Sequence, residues 1–259
     1  MEDAVQRLSA EIEREHWWHV GRRRVLRGVL KSLKLPPRAR ILDFGAGVGG
    51  NFSLLREFGS IVAVEPSLEA QRIAATTAPD VTYVSTLEDL PSNLAFDAAV
   101  MLDVLEHVDA RPETLRAIGE RVGLHAPLLV TVPAYPWLFG EHDRYLGHKL
   151  RYTRRSLCSD LDAGGFATTW LSSMNVATLP VAIAARLVET LRSTSGVERP
   201  ASPRGMSIPP SPLNRALTAA FAAEALWPLP LPFGLSLVAV AKFRLKPGND
   251  SRCRQGFAS

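Results

Sequence analysis

The chain has 259 residues, of which 46% are hydrophobic, and carries a formal net charge of +4. This length is enough for one α/β domain with a sizeable core. The basic residues are scattered apart from two short clusters, and no basic tract with interleaved aromatic residues accompanies them. The composition therefore argues against a nucleic-acid partner.

Signals for secretion or membrane insertion are not found in the sequence. The amino terminus is charged and has no apolar core, and no run of 18 apolar residues occurs. Cys158 and Cys253 are far apart and indicate no disulfide framework, which fits a reducing cytoplasm. We predict a cytoplasmic protein, and peripheral membrane contact through the apolar segment 213–240 stays open as an alternative.

The first predicted element is a helix over residues 1–35, which Pro36 and Pro37 end. Trp17 and Trp18 are adjacent in it. Neighbours on a helix point about 100° apart, so both rings cannot face one core. Either one ring is half-exposed at the edge of the domain, or the helix covers a ligand.

A strand, a tight turn and a helix are predicted around the glycine-rich stretch 40–50. Asp43 ends the strand, and Gly45, Gly47 and Gly49 let the backbone turn sharply and approach a ligand closely. A dinucleotide places its pyrophosphate at such a helix start, where the nearby acid would repel it, and this disfavours an NAD-dependent oxidoreductase. An acid beside the turn favours a ligand with an amino or sulfonium group.

The next predicted strand also ends in an acid, Glu65. A carboxylate at this place can accept both hydrogen bonds of a ribose diol. The glycine turn and this acid together resemble motif I of class I S-adenosylmethionine (SAM)-dependent methyltransferases. The resemblance implies a Rossmann-like, doubly wound α/β sheet of seven strands, mostly parallel with an antiparallel last strand. It also implies SAM as the cofactor and S-adenosylhomocysteine as its product.

Two further segments extend the resemblance to the cofactor pocket. The His-Trp-Trp…Arg-Arg segment resembles the amino-terminal helix of a bacterial subgroup of small-molecule methyltransferases, where it lies over SAM. The run 85–91, before the predicted strand 96–102, resembles a loop whose acid usually meets the adenine amino group. Thr86 stands at that position, and Glu88 can replace it if the loop shifts. The implied cofactor residues are Asp43, Gly45, Ala46, Gly47, Gly49, Glu65, Pro66, Thr86, Leu87, Glu88 and Leu102, with Trp17, Trp18 and Arg23 on the lid.

The fourth strand continues into Asp-Val-Leu-Glu-His, a sequence typical of the same family. Asp103 and His107 lie four residues apart and share a face if this segment is helical. Both would then lie beside the transferred methyl, with His107 as the natural general base near neutral pH. The alternative is a packing role, since the family keeps the Glu-His pair with many substrates.

An aromatic and charged loop, 134–152, follows the predicted fifth strand. It resembles the loop that borders the acceptor pocket in the methyltransferase subgroup. Tyr135, His142 and His148 are therefore predicted to contact the acceptor or take part in catalysis.

The same loop raises two alternatives. His142 and His148, with Glu141 and Asp143, have the chemistry of metal ligands, but no HExxH spacing and no second cluster are present. We therefore predict no metal site. The other alternative is a salt-bridged loop in which Asp143, His148 and Arg151 fix the local shape.

The segment 174–233 goes beyond a minimal methyltransferase domain. It is predicted as two helices joined by a flexible Ser- and Pro-rich loop at 193–212. We predict one domain, 1–245, whose helical insert 174–233 covers the acceptor pocket, dimerises or contacts a membrane. Residues 246–259 are predicted to be a disordered tail.

The sequence thus predicts methyl transfer from SAM to a small-molecule acceptor, natural-product or lipid-like, by a monomer or homodimer. One alternative is a SAM-binding enzyme of the same fold that does not methylate, such as a cyclase or pericyclase. The other is a membrane-associated binding protein that uses the insert as its contact surface.

Overall fold

The protein is described by a computed structural model over residues 11–193, 207–226 and 230–244. Seven strands in this part of the chain form one sheet. They are β1 (Ala39–Phe44), β2 (Gly59–Val64), β3 (Thr82–Val84), β4 (Ala98–Leu102), β5 (Pro127–Pro133), β6 (Phe166–Met174) and β7 (Ser236–Phe243).

The sheet has the strand order β3-β2-β1-β4-β5-β7-β6. Strands β1 to β5 pair in parallel, whereas β7 pairs antiparallel with both β5 and β6. The direction of winding reverses between β1 and β4, and open α/β sheets bind ligands outside the carboxyl ends of strands at such a point. The prediction of a doubly wound sheet with an antiparallel last strand is confirmed.

Helices cover the two faces of the sheet, and short 3₁₀ turns lie at Leu105–His107, Pro136–Leu138 and Glu224–Leu226. The α-helices are α1 (Trp17–Leu33), α2 (Phe52–Leu55), α3 (Leu68–Thr77), α4 (Arg111–Val122), α5 (Glu141–Leu146), α6 (Arg154–Ala163), α7 (Leu179–Ser193) and α8 (Ser211–Ala223).

The central strands form because their apolar runs can be buried on both faces. Every residue of β4 is buried, and so is β5 after its first residue. Side-chain caps then fix where helices begin. The Ser67 hydroxyl accepts a hydrogen bond from the Ala70 amide at 3.2 Å, and the Thr153 hydroxyl accepts one from the Ser156 amide at 3.0 Å and so caps α6.

The amino-terminal helix is interrupted near the paired tryptophans. Residues 11–15 are helical, His16 has extended backbone angles, and α1 begins at Trp17. The His16 imidazole accepts a hydrogen bond from the Trp18 amide at 3.3 Å and so caps α1. Residues 1–10 of the predicted helix lie outside the described residues.

The predicted insert supplies α7 and α8, and α8 packs on α1. A Cβ atom added at Gly21 would lie 2.7 Å from the Phe221 ring, so the two helices meet closely at this point. The Glu224 carboxylate accepts hydrogen bonds from the amides of Asn175 and Val176, both at 2.7 Å, which ties the end of α8 to the end of β6. Of the predicted loop 193–212, residues 194–206 lie outside the described residues, as does the predicted tail.

Three sequence-based predictions need correction. The helical spacing of Phe52, Leu55 and Phe58 predicts a helix that reaches Phe58, but the helix after the glycine turn ends at Leu55. The predicted loop 134–152 contains α5. Cys158 is buried on α6 and is disulfide-bonded, so the expectation of no disulfide is wrong. Cys253 lies outside the described residues. Among the helices described, none is both long and apolar enough to cross a lipid bilayer.

Candidate active site

The glycine turn after β1 has a backbone that side chains would disturb. Gly45, Gly47 and Gly49 have φ angles of +78°, +55° and +83°, in the left-handed region that favours glycine. A Cβ added at Gly45 or Gly49 would lie 2.5 Å from the side chain of Val104 or Phe52. At Gly47 it would meet no heavy atom of the described residues within 4 Å. The turn is therefore close-packed on one side and open to a ligand at Gly47.

Asp43 lies beneath the turn with an unsatisfied oxygen. Its side chain is buried, and its Oδ2 atom has no hydrogen-bond partner in the described part of the chain. Burial raises the pKa of Asp43 to about 7, although the nearby Arg22 guanidinium opposes that rise. A buried acceptor without a donor costs about 1–3 kcal/mol. A ligand amino group would supply that donor, which fits the amino-acid part of SAM.

Glu65 is oriented toward the turn by two backbone amides. Its Oε2 atom accepts a hydrogen bond from the Gly47 amide, and its Oε1 atom accepts one from the Ser67 amide, both at 2.8 Å. Each oxygen keeps a further lone pair, so the carboxylate can also accept from a ribose diol. Pro66 beside it is exposed, and Ala46 in the turn is buried.

The predicted adenine loop has its own hydrogen bonds. The amide and hydroxyl of Thr86 donate to Asp89 Oδ2 at 2.9 and 3.2 Å. Thr86 and Glu88 are exposed, whereas Leu87 and Leu102 are buried in the core. Leu87 and Leu102 therefore offer little side-chain surface to a cofactor.

A buried arginine that the sequence analysis did not select joins the lid helix to the site. The Arg22 guanidinium lies 4.6 Å from the Trp18 ring centroid, forms an ion pair with Asp103, and donates to Asn51 Oδ1 at 3.1 Å. Burial lowers the pKa of Arg22 to about 10. Arg22 lies four residues after Trp18, a spacing that brings two side chains together on a helix and would have indicated their contact. In the sequence, however, the run Arg22–Arg24 has the pattern of a solvated cluster.

The other lid candidates have contacts away from this ion pair. Trp17 packs edge-to-face on Phe221, with ring centroids 6.3 Å apart. Arg23 donates to the backbone oxygens of Glu13 at 2.6 Å and Gly50 at 3.1 Å. Arg23 thus binds the segment before α1 to the glycine turn, and Trp17 attaches α1 to α8.

Asp103 follows β4 in an unusual conformation. Its φ is +60°, and its amide donates to the Thr131 carbonyl at 3.0 Å. Its Oδ1 atom accepts a hydrogen bond from the Thr131 hydroxyl at 3.1 Å. The following helical turn begins only at Leu105, so the prediction that Asp103 and His107 share a helix face is wrong. Asp103 contacts Arg22, whereas His107 lies beside α5.

A carboxylate and two imidazoles meet after β4. His107 and His148 have ring centroids 5.0 Å apart, and His148 Nε2 lies 3.9 Å from Glu106 Oε1. Glu106 is fully buried, and neither of its carboxylate oxygens has a hydrogen-bond partner within the described residues. Burial is the main cause that raises the pKa of Glu106 to about 8, and it also lowers the pKa of His107.

Asp143 orients His148 from the other side. The Asp143 carboxylate is buried and lies 2.8 Å from His148 Nδ1, and it accepts hydrogen bonds from Arg151 Nε at 2.8 Å and the Gly140 amide at 2.9 Å. Burial alone would raise the pKa of Asp143, but the contacts with His148 and Arg151 outweigh it and lower the pKa to about 2. This is the ion-paired network that the sequence analysis gave as an alternative.

The remaining acceptor candidates are less closely joined to this cluster. His142 is exposed on α5. Tyr135 has a φ of +65°, and its hydroxyl accepts a hydrogen bond from the Gly234 amide at 3.4 Å. The structure therefore brings His107 and His148 together with Glu106, which the sequence analysis mentioned only as part of a motif.

A cavity of about 900 Å³ lies at the opposite end of the sheet. Its lining includes Leu35, Pro127 and Lys242, at the amino ends of the parallel strands and the carboxyl end of β7. None of the predicted cofactor or acceptor residues lines it. The chemistry-bearing side chains of the glycine turn and of the cluster after β4 follow the carboxyl ends of parallel strands instead, the edge at which open α/β sheets bind ligands.

Comparison with known proteins gives the family and the fold. The sequence profile of the methyltransferase domain matches residues 17–171, more than half of the chain. No curated protein sequence matches. A Haloferax volcanii protein described as a methyltransferase, solved with its activator Trm112, superposes with a TM-score of 0.59 at 14% identity, covering 93% of this chain and 96% of that one.

Two other solved structures show the range of proteins that share the fold. A SAM-dependent methyltransferase from Methanosarcina mazei has a TM-score of 0.53 and 16% identity, with 84% of this chain and 98% of that chain covered. The [4+2]-cyclase SpnF has a TM-score of 0.50 and 20% identity, with 86% and 80% covered. At these identities the structures show the fold alone.

The family match and the seven-stranded fold identify a class I methyltransferase. The chain belongs to the methyltransferase-domain family, and it is an enzyme that uses SAM.

Proposed function

We propose that this methyltransferase acts on a small molecule, natural-product or lipid-like, in a biosynthetic reaction. The observation that carries the proposal is the cluster of Glu106, His107 and His148 beside the glycine turn. Val104 lies against Gly45, as the 2.5 Å approach of an added Cβ shows, and Glu106 is two residues further on. This contact supports the proposal that a group which receives or orients an acceptor proton lies near the cofactor.

The cofactor residues have separate tasks in this proposal. Asp43 accepts a hydrogen bond from the amino group of SAM with its unpartnered oxygen, and Glu65 accepts from the ribose hydroxyls. The open side of Gly47 admits the ligand. Trp18 and Arg22 hold α1 over the pocket. When bound, SAM supplies an electrophilic methyl group on a sulfonium, so the chemistry needs no strong activation of the methyl donor.

The acceptor side has to position a nucleophile and handle its proton. The nucleophile needs to lie about 3 Å from the methyl carbon and in line with the bond that breaks. His107 or His148 receives the proton of an acceptor that carries one. Asp143 accepts a hydrogen bond from His148 and stabilises that imidazole when it is protonated. Tyr135 and His142 belong to the same loop, 134–152.

The insert is proposed to cover the acceptor pocket within a single domain. Glu189 on α7 accepts a hydrogen bond from the Glu141 amide at 2.8 Å and so joins α7 to α5 of the acceptor loop. The other roles are self-association of a monomer into a homodimer and peripheral contact with a membrane. Analytical ultracentrifugation and sedimentation with liposomes, with and without the insert, distinguish these three roles.

The experiment is an assay of S-adenosylhomocysteine formation with panels of phenols, amines and lipid-like alcohols. Acceptor-dependent formation, with a product heavier by one methyl group, supports the proposal. A product that needs SAM but leaves it unconsumed would replace the proposal with a non-methylating reaction such as a cyclisation. Lack of turnover together with insert-dependent liposome binding would favour the membrane-associated binding protein.

A further inference from the structure

The donor atoms of the cluster after β4 have the spacing of loosely preformed metal ligands. One atom each from Glu106, His107 and His148 lies within 4.8 Å of the others. Bonds of about 2.0–2.1 Å in a tetrahedral site put ligand atoms about 3.3 Å apart. The three side chains would therefore close by roughly 1.5 Å at most. His107 is only half-buried, so it has room for that movement.

The outer nitrogens of both imidazoles have the partners that metal-bound histidines usually have. His148 Nδ1 lies 2.8 Å from Asp143, and His107 Nδ1 lies 3.1 Å from the Gly147 carbonyl oxygen. A proton on each Nδ1 atom satisfies both contacts and leaves each Nε2 lone pair for a metal. Arg151 also binds Asp143, so the orienting carboxylate is itself held in place.

Glu106 gives a second, independent observation. Its side chain is 0% exposed, and both carboxylate oxygens lack a hydrogen-bond partner among the described residues. Burying a carboxylate is unfavourable unless it is paired or coordinates a metal. A cation between Glu106 and the two imidazoles would satisfy it directly.

We propose that Glu106, His107 and His148 bind a divalent transition metal such as Zn²⁺, Mn²⁺ or Fe²⁺. Imidazole nitrogen and carboxylate oxygen are ligands that these ions accept. Three protein ligands leave a coordination position open, as catalytic sites do. The prediction of no metal site is thereby revised, because Glu106 and His107 form the second cluster that the sequence did not show beside His148.

The open position gives the metal a role in catalysis, and this role rests on the proposed function. An acceptor hydroxyl oxygen would coordinate the ion, which lowers the pKa of the hydroxyl. With the metal bound, His107 and His148 are ligands and no longer receive the acceptor proton, which would leave to solvent instead. The oxygen would then attack the methyl carbon while the bond from that carbon to the sulfonium sulfur breaks, leaving S-adenosylhomocysteine. The substrate class is then a phenol, catechol or other hydroxyl compound. The metal site itself does not depend on methyl transfer.

The test is titration of the full chain, freed of metal by a chelator, with Co²⁺ and with Zn²⁺. We expect one equivalent of Co²⁺ to give visible ligand-field bands, and Zn²⁺ to displace it. His107→Ala and His148→Ala should each weaken binding at least about 10-fold, the lower end of the loss seen for residues that merely support metal ligands. His125→Asn is the matched control, because His125 is exposed in a loop after α4 and lies outside the cluster.

Three outcomes are decisive. Metal binding that is lost in His107→Ala but kept in His125→Asn supports the site. Because His107 is only half-buried, the His107→Ala variant gives this result even if His148→Ala fails to fold. Equal binding by both variants, or no stoichiometric binding, overturns it. SAM affinity is measured separately by calorimetry on the metal-free chain. Metal binding without SAM binding would refute the proposed function and leave the metal site standing.

Discussion

Replacing Arg22 with methionine tests the buried connection between the lid helix and the end of β4. The Arg22 and Asp103 side chains are 6% and 20% exposed, so the variant leaves Asp103 as a poorly solvated, unpaired carboxylate. Breaking such a pair from one side costs about 3–5 kcal/mol. The variant also loses the contact with Trp18 and the hydrogen bond to Asn51. We expect a lower free energy of unfolding and weaker SAM binding.

The assay is urea unfolding followed by circular dichroism, with a double variant and a control. The double variant, Arg22→Met combined with Asp103→Asn, should lose less free energy of unfolding than Arg22→Met alone, because no uncompensated charge remains. Arg24→Met is the control, since Arg24 is exposed two residues away on the same helix. This variant should change the free energy of unfolding by no more than about 0.5 kcal/mol. Equal costs for Arg22→Met and Arg24→Met would refute the reasoning.

Three further predictions concern stability. Because burial raises the pKa of Asp43 to about 7 in the folded protein, the contribution of Asp43 to the free energy of unfolding is present at low pH and is lost as the pH rises from about 4 through 7. Asp43→Asn should therefore flatten the pH dependence of the urea unfolding midpoint across that window. Gly49→Ala should lower the free energy of unfolding by at least about 1–2 kcal/mol, because the φ of Gly49 is +83° and the added Cβ meets the Phe52 ring. Thermal unfolding measures this loss, and an unchanged melting temperature would contradict the prediction. Gly21→Ala should destabilise the protein by about 1–3 kcal/mol, because the added Cβ meets the Phe221 ring. Gly28→Ala on the same helix is the control and should stabilise slightly, because its Cβ meets no described atom within 4 Å. Equal effects of the two variants would show that α1 and α8 are not in close contact.

The fold could be predicted because its signals are local. Apolar runs such as Pro127–Pro133 are strands in the structure as in the sequence, since a run of that kind is stable when both faces are covered. The left-handed φ angles of Gly45, Gly47 and Gly49 are what their spacing predicts. The helix after the glycine turn was predicted in the right place but too long, because helix ends depend on tertiary contacts.

The site was only partly predictable because it depends on contacts between distant segments. Arg22 reads as one of three surface arginines, but its burial is stabilised by partners from distant segments, Asp103 at the end of β4 and Asn51 after the glycine turn. Glu106 and His148 are 42 positions apart, and their meeting depends on how α5 packs after β5. The left-handed conformation of Asp103 removed the expected helix face, since a single backbone angle redirects the following turn.

The most direct measurement of the central claim is calorimetric titration of the purified protein with SAM and S-adenosylhomocysteine. Wild-type protein should bind both. Each of the two acids contributes about 1.5–3 kcal/mol through hydrogen bonds to a charged group. Asp43→Asn combined with Glu65→Gln should therefore lose roughly 100-fold or more in affinity, while Glu120→Gln, on the exposed face of α4, should not change it. Equal affinity of the double variant and the wild type, with both folded by circular dichroism, would contradict the assignment of the cofactor site.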